Sequence, residues 1–164
     1  MDAELARKLW RYDPRTGHLW WRERAQGRQM DRPAGTVKKR GRTSYREVVH
    51  QEKQYKAHRL IWLILQGTWP QREIDHINGY GLDNRFENLR EATRRENGRN
   101  RKKHKNNTSG FRGVYWHKKA RKYHARIKTN EKRIHIGLFN TAEEASEAYE
   151  ASAKRLFGKF YSGA

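Results

Sequence analysis

The longest uninterrupted apolar stretch of this sequence is only six residues long, from Leu60 to Leu65. A helix needs about 20 apolar residues to cross a bilayer, so we expect no membrane span. Hydrophobic residues make up 34% of the 164 residues, yet the chain carries 6 Trp, 8 Tyr and 5 Phe. Disordered chains are poor in aromatic residues. The sequence therefore predicts small folded cores built around a few large rings.

Cysteine is absent from the chain, which excludes disulfides, thiolate zinc sites and thiol catalysis. The first residues, Met1 to Glu4, lack the basic flank and apolar run that are typical of a secretory signal. We therefore expect a protein of the cytoplasm, associated with the nucleoid.

Positive charge is concentrated in two regions of a chain whose formal net charge is +20. Residues 1–57 contain 15 basic and 7 acidic side chains, and residues 99–135 contain 14 and 1, whereas residues 58–98 are balanced at 6 and 6. Such clustering is typical of a polyanion binder, because each Lys or Arg on a phosphate releases counterions. A generally basic soluble protein is the alternative. A membrane-surface role fits less well, because the second basic region alternates like strands.

Local patterns predict a mixed α+β fold. In the first half they predict a short helix over residues 4–12, a strand over 18–21, a hairpin from 45–49 and 54–57, and a helix over 58–66 that ends at Gly67. A capping box at Thr93 and Glu96 predicts a helix start with Asn97 in its first turn. Residues 99–109 are basic and contain no apolar residue, which favours a linker.

Three strands and a helix are predicted after the linker, with the strands near residues 112–117, 122–128 and 132–138. Alternation places Tyr123, Ala125 and Ile127 on one face of the second strand, and Ile134, Ile136 and Leu138 on one face of the third. A second capping box, Thr141 with Glu144, begins a helix whose stripe of small residues suits close packing on that apolar face. The basic face of the sheet is then left open.

The strongest chemical signal is Asp75-His76 at the end of a short strand, with Asn97 in the first turn of a helix. Phosphodiester hydrolysis needs a divalent cation and a base. The Asp75 carboxylate and the Asn97 amide oxygen are ligands that hard cations prefer, and a neutral His76 suits a general base. Asn88 could hold the loop or orient the imidazole. By itself the Asp-His pair also fits a turn beside a hydrogen-bonded histidine.

The middle of the chain resembles the HNH endonucleases of phages and mobile introns. The residues that carry the resemblance are His58–Trp62, Ile74–Gly79, Asp83–Arg85, Glu87–Arg90 and Thr93 with Asn97. It implies a two-strand-plus-helix metal finger in which Asp75 and Asn97 bind one Mg²⁺ or Mn²⁺ per chain, His76 is the general base and Asn88 is structural. The better-known form has His at position 97, so Asn97 favours an oxygen-ligated cation. His58 and Arg59 recur in the pattern as supporting residues, through packing or a phosphate contact.

The C-terminal part resembles the plant ethylene-response-factor type of DNA-binding domain, which also occurs fused to phage HNH nucleases. The residues that carry this second resemblance are Phe111–Val114, Tyr123–Ile127, Ile134–Phe139 and Thr141–Ala145. It implies a three-stranded antiparallel sheet on one helix, with the sheet in the major groove. The DNA-facing positions are then Arg112, Tyr115, His117, Lys119, Arg126, Lys128, Arg133 and His135.

The sequence thus predicts an α+β protein: N-terminal strands (1–57), an HNH metal finger (58–98), a basic linker (99–109) and a sheet-plus-helix DNA-binding domain (110–164). We expect a monomeric, metal-dependent endonuclease that nicks or cuts double-stranded DNA. The alternative is a catalytically inactive, sequence-specific DNA-binding regulator. An RNA-binding protein fits less well, because no stacking motif of the common RNA-binding modules is present.

Overall fold

A computed structural model of the chain describes residues 1–41, 43–99, 107–129 and 132–161. These residues form four small antiparallel sheets and four α-helices, joined by turns and loops. This mixed architecture confirms the predicted α+β class. The chain divides into two compact units, Met1–Asn97 and Gly98–Ala164. Within the described ranges, every helix is too short or too polar to traverse a lipid bilayer. Most of the predicted linker, residues 100–106, lies outside the described residues.

The first unit is built from short elements. In chain order they are α1 (Ala3–Leu9), β1 (Trp10–Asp13), β2 (His18–Trp21), β3 (Thr36–Arg40), β4 (Thr43–His50), β5 (Lys53–Lys56), α2 (Ala57–Gln66), β6 (Glu73–His76), β7 (Leu89–Ala92) and α3 (Arg94–Arg99), the last of which crosses into the second unit. Strands β1 and β2 form one sheet, β3 to β5 a second, and β6 and β7 a third. A 3₁₀ turn, Phe86–Asn88, leads directly into β7.

The core of the first unit joins the N-terminal strands to α2. Trp10, Val48 and Leu60 are all buried in one cluster, although they come from β1, β4 and α2. Helix α2 ends where the sequence predicts, because Gly67 adopts a left-handed conformation and its N–H donates to the Leu63 carbonyl at 2.9 Å. The N-terminal strands are therefore part of the body that supports β6 and β7.

The helix predicted over residues 4–12 is wrong beyond Leu9. From Trp10 to Asp13 the chain is a strand that pairs with β2, so that Trp10 lies opposite Trp21 with their ring centroids 5.2 Å apart. Burial of the large Trp10 ring against this partner stabilises the extended conformation. A helix pattern compares residues three and four apart, so it does not register a strand partner in the next element of the chain.

The second unit is a three-stranded antiparallel sheet on one helix. Its elements are β8 (Val114–His117), β9 (Lys122–Lys128), β10 (Arg133–Phe139), α4 (Ala142–Phe157) and a final 3₁₀ turn, Gly158–Phe160. The sheet order is β10-β9-β8, with β9 in the centre. Ala125 and Ile127 are buried beneath α4, as the alternation predicts. Both halves of the predicted capping box at Thr141 and Glu144 are formed.

Leu138 breaks the predicted alternation of β10. The register with β9 shifts between His135 and Gly137, so Leu138 pairs with His124 and is 40% exposed. Phe139 packs against the core instead. A bulge adds one residue to a strand and reverses the alternation beyond it, which explains why the prediction for Leu138 is wrong.

Gly113 allows the segment before β8 to approach α4 closely. Its φ is +74°, and a Cβ at this position would overlap the ring of Tyr149. We expect Gly113→Ala to destabilise the second unit by about 2–5 kcal/mol, through backbone strain and overpacking. Amide hydrogen exchange in α4 measures this loss.

Gly110→Ala is the matched control for that substitution. Gly110 also has a positive φ, +80°, but a Cβ there would meet open space. The control should therefore lose only the backbone contribution. Equal losses of protection in the two variants would contradict the close contact between Gly113 and Tyr149.

Candidate active site

The β6–β7 hairpin carries the residues that the sequence singles out for chemistry. Asp75 pairs in register with Arg90, and His76 with Leu89. Asp75 is 4% exposed and His76 is 5% exposed. Successive side chains of a strand point to opposite faces, and the contacts of these two residues follow that rule. The imidazole of His76 and the carboxylate of Asp75 therefore point to opposite faces of β6.

The imidazole of His76 is oriented by Asn84. Its Nε2 lies 3.0 Å from Asn84 Oδ1, and because an amide oxygen can only accept, Nε2 carries the proton. In the neutral ring Nδ1 is then the basic nitrogen. Burial lowers the pKa of His76, while the hydrogen bond to Asn84 and the charge of Asp75 oppose that shift. The ring is therefore neutral at pH 7, as a general base requires.

Asn84 is a site residue that sequence reasoning missed. Its side chain is buried, and its backbone carbonyl accepts from the Tyr12 hydroxyl at 3.3 Å. The same hydroxyl accepts from the Phe86 N–H at 2.9 Å. A Cβ at Gly17 would lie 2.5 Å from the Arg85 nitrogen, so the β1–β2 turn also presses on this loop. The sequence places Asn84 in a turn and within the HNH resemblance but assigns it no role, because its partner Tyr12 lies 72 residues away.

His58 and Arg59, the predicted supporting residues, contact different parts of the hairpin. The His58 ring meets the His76 ring edge-on, with centroids 5.0 Å apart. Burial and the nearby His76 lower the pKa of His58 well below its usual value, so it packs as a neutral ring. Arg59 donates to the carbonyls of Pro70 and Arg72, at 3.1 and 3.2 Å, and so fixes the segment that enters β6.

Asn88 holds the β6–β7 loop together. Its Oδ1 accepts from the Asn78 N–H at 3.0 Å, and its Nδ2 donates to Asn78 Oδ1 at 3.0 Å and to the Asp83 carbonyl at 2.8 Å. Its backbone carbonyl also accepts from the Ile77 N–H at 2.9 Å. Such use of the whole amide is the geometry expected of a structural residue rather than of one that contacts substrate.

Asn88→Ala is expected to lower the free energy of unfolding of the first unit by about 2 kcal/mol, because the partners in the loop lose their hydrogen bonds. Urea unfolding followed by tryptophan fluorescence measures this change. Asn88→Asp is a second variant, which keeps the acceptor for the Asn78 N–H but turns a carboxylate oxygen toward two acceptors, Asn78 Oδ1 and the Asp83 carbonyl. Its loss should be at least as large. Unfolding midpoints equal to that of the natural chain for both variants would rule out the structural role.

Asp75 forms an ion pair with Arg90. The Nε and Nη2 atoms of Arg90 lie 2.9 and 2.6 Å from Asp75 Oδ2. Both side chains are largely buried, with 12% of Arg90 and 5% of Asp75 exposed. A carboxylate at such a depth needs a positive partner, and here the guanidinium supplies it. Sequence reasoning missed this partner, although Arg90 belongs to the motif.

Asn97 donates from Nδ2 to Glu73 Oε2 at 2.7 Å. The predicted capping box fixes its helix, since the Glu96 N–H donates to Thr93 Oγ1 at 3.2 Å and Thr93 N–H donates to Glu96 Oε2 at 2.8 Å. Glu73 and Asp75 lie two residues apart on one face of β6, roughly 6.6 Å along the strand. Asn97 is therefore held on the face of the hairpin that carries Asp75.

The donor chemistry of this face fits a hard divalent cation. Glu73 accepts the hydrogen bond from Asn97 Nδ2. The side-chain oxygen of Asn97 is then the atom that could bind a cation, beside the carboxylate of Asp75. Water and a phosphate oxygen would complete such a shell. Among the described residues, no group of three or more His, Asp or Glu side chains converges as a closed metal cluster.

The HNH endonuclease family model matches residues 55–99, from β5 through α3. Protein 3.8 of Escherichia phage T7 is 32% identical over 110 residues, which cover 65% of this chain and 90% of that relative. This chain belongs to the HNH endonuclease family. The uncharacterized HNH endonuclease L560 of Acanthamoeba polyphaga mimivirus is 34% identical over 105 residues, which cover 63% of this chain but only 54% of L560. No solved structure matches the chain.

Outside the HNH segment, the open face of the second unit gathers basic and aromatic side chains. Arg126 lies 4.2 Å above the ring of Tyr115, and His135 Nδ1 lies 2.7 Å from His124 Nε2. Tyr115 is exposed on this face. Lys119, Lys128 and Arg133, from the predicted DNA-facing set, are exposed as well, and so is His117. His124 shares this face, because it pairs with Tyr115, but it is absent from that set.

Arg112, the first of the predicted DNA-facing residues, has partners within the second unit. Its Nη1 donates to the Arg99 carbonyl at 2.8 Å, and its guanidinium carbon lies 5.7 Å from the ring centroid of Tyr161, a core residue. It therefore ties the segment before β8 to the end of the chain. The other members of the set are better placed to contact a ligand on the sheet.

Proposed function

We propose that this chain is a metal-dependent DNA endonuclease that hydrolyses phosphodiester bonds, with the HNH segment as its active site. The observation that carries the proposal is the buried hairpin that presents a neutral His76, oriented by Asn84, in the segment that the HNH family model matches. The viral relatives support a role inside an infected cell, where DNA is the polyanion to be cut.

In the proposed mechanism, His76 Nδ1 takes a proton from the attacking water, while Asn84 keeps the other ring nitrogen protonated. Asp75 and Asn97 would hold one Mg²⁺ or Mn²⁺. When bound, such an ion supplies charge stabilisation at the scissile phosphate and at the leaving oxygen. His58 and Asn88 position the imidazole and the loop. One such site in a monomer would nick one strand.

A plasmid assay tests the proposal. Purified protein should convert supercoiled DNA to the open circle with Mg²⁺ or Mn²⁺, and excess EDTA should stop the reaction. Two observations favour the alternative, a DNA-binding regulator without catalysis. The Asp75 carboxylate is already neutralised by Arg90, and Asp75 and His76 point to opposite faces of β6. Tight binding to DNA without any nicking, with either metal, would establish that alternative.

We further propose that the second unit is a DNA-binding module similar to the ethylene-response-factor type, with its open face in the major groove. Its three-stranded sheet on one helix and the row of exposed cations support this assignment. Arg side chains can read guanine, whereas Lys contacts are more often made to phosphate.

Arg126→Ala and Arg133→Ala should each weaken duplex binding and reduce the slope of log K against log salt concentration by about 1, the value for one lost phosphate contact. Electrophoretic mobility shifts across a salt series measure the slope. Lys154→Ala is the control, because Lys154 is exposed on α4, the helix that covers the other face, and pairs with Glu150. A slope unchanged in both arginine variants would contradict the contact assignment.

A further inference from the structure

A cleft of about 370 Å³ opens in the first unit beside the loop that orients His76. Its walls come from the β1–β2 turn, from β4 and from the β6–β7 loop, and they include His18, Arg46, Tyr80, Asp83 and Arg85. The volume suits a single nucleotide unit better than a large ligand. None of these five residues belongs to the hydrolytic chemistry described above.

Arg46 gives the cleft its excess positive charge. The side chain is partly buried, and its Nη1 donates to the Gly35 carbonyl at 2.9 Å. Within the described part of the chain, no carboxylate lies within ion-pair distance of Arg46. A guanidinium that is withdrawn from water and not neutralised is a strong anchor for an oxyanion, and its planar donors match a phosphate.

Asp83, the acidic residue of the cleft, does not cancel that charge. Arg85 donates to it from Nε and Nη2 at 2.9 and 2.8 Å, and Asn78 donates to it at 2.8 Å. These bonds, above all those of Arg85, hold the pKa of Asp83 at about 2. The carboxylate is therefore occupied by its own neighbours, and His18 and Arg46 remain to face a ligand.

Tyr80 supplies an aromatic surface at the same cleft. It lies in the β6–β7 loop and is 60% exposed. Its N–H donates to the Asn78 side chain at 2.9 Å, so the backbone beneath the ring is held in place. An exposed ring next to a phosphate anchor is the arrangement on which a base or a sugar stacks.

We infer that this cleft binds a phosphate ester of the DNA strand that flanks the cleaved bond, with Arg46 on the phosphate and Tyr80 on the adjoining base or sugar. The inference rests on the proposed endonuclease function and adds a substrate subsite to it. A free nucleotide carries the same phosphate and base, so the experiment tests both duplex DNA and a free nucleotide.

Duplex binding in EDTA tests this subsite without any cleavage, so failure of the nuclease proposal and failure of the subsite are separate results. Arg46→Gln should weaken binding roughly tenfold, the effect of losing one charge-assisted contact. It should also reduce the salt slope by about 0.9. Arg46→Lys should restore the salt slope. Tyr80→Ala should weaken binding without changing the salt slope. If Arg46→Gln does not fold, Arg46→Lys and Tyr80→Ala carry the test.

Arg40→Gln is the control, because it removes the same charge from the neighbouring strand but from an arginine already paired with Glu47. Its slope should match that of the natural chain. Equal slopes for Arg46→Gln and Arg40→Gln, or unchanged affinity in Tyr80→Ala, would overturn the subsite. Titration with deoxyadenosine monophosphate, followed by NMR, should show no saturation below millimolar concentration. Micromolar binding that DNA does not displace would assign the cleft to free nucleotides and overturn the DNA assignment.

Discussion

Replacing His76 with alanine is expected to slow strand cleavage by about 10²–10⁴-fold, the range that a general base contributes. The imidazole is a basic group that is neutral at pH 7 and is fixed by a hydrogen bond to the buried amide of Asn84. Single-turnover nicking of supercoiled plasmid measures the effect. The affinity for duplex DNA should stay within a factor of two or so, because the side chain is buried and does not supply binding surface.

His50→Ala serves as the control for that experiment. His50 lies in the same unit, at the end of β4, where its ring meets Trp10 edge-on. Its loss should leave the cleavage rate unchanged. The cleavage rate of Asn84→Ala should lie between those of His76→Ala and His50→Ala, because this variant keeps His76 but removes the acceptor for its Nε2. Cleavage by His76→Ala at a rate close to that of the natural chain would remove the imidazole from the mechanism.

Asp75→Leu is expected to lower the free energy of unfolding by about 3–5 kcal/mol and to abolish cleavage. The loss of stability arises because the substitution leaves the Arg90 guanidinium buried without its counter-charge. Urea unfolding followed by tryptophan fluorescence measures the stability, and the plasmid assay measures the activity.

A double substitution separates these two effects. In Asp75→Leu with Arg90→Met, both charges are replaced by apolar groups of similar volume, so most of the lost stability should return. Cleavage should remain absent, since the carboxylate is needed for the cation. An active double variant would exclude Asp75 as a metal ligand. A single variant as stable as the natural chain would contradict the buried ion pair.

Elements with a strong local signal could be predicted from the sequence. Helix α2, its end at Gly67 and the capping boxes at Thr93 and Thr141 all depend on residues within one or two turns of each other. The central strand of the second unit is likewise readable, because each of its residues alternates between a covered and an open face.

Features that depend on distant partners could not be predicted. Trp10 belongs to a strand because it packs against Trp21 in the paired strand. Leu138 lies on the exposed face of the sheet because of a β-bulge that no residue type predicts. The same limit applies to the site. Its residue types follow from the motif, but the orientation of His76 by Asn84 and the neutralisation of Asp75 by Arg90 exist only in the folded hairpin.

The Asp75–Arg90 ion pair also affects how a cation would bind to Asp75. A buried carboxylate cannot remain unpaired, and Arg90 stabilises it as long as no metal is present. A cation bound to Asp75 would then either share the carboxylate with the guanidinium or displace it. Asn97, held by Glu73 on the same face, is the second ligand in the proposed site.

Diffraction from crystals grown with Mn²⁺ and an uncleavable duplex tests whether Asp75 and Asn97 bind one cation. We expect one anomalous peak per chain, about 2.1 Å from an Asp75 carboxylate oxygen and from the Asn97 amide oxygen, with His76 still bonded to Asn84. A peak elsewhere, or an Asp75 that binds only Arg90 in crystals saturated with Mn²⁺, would contradict this expectation.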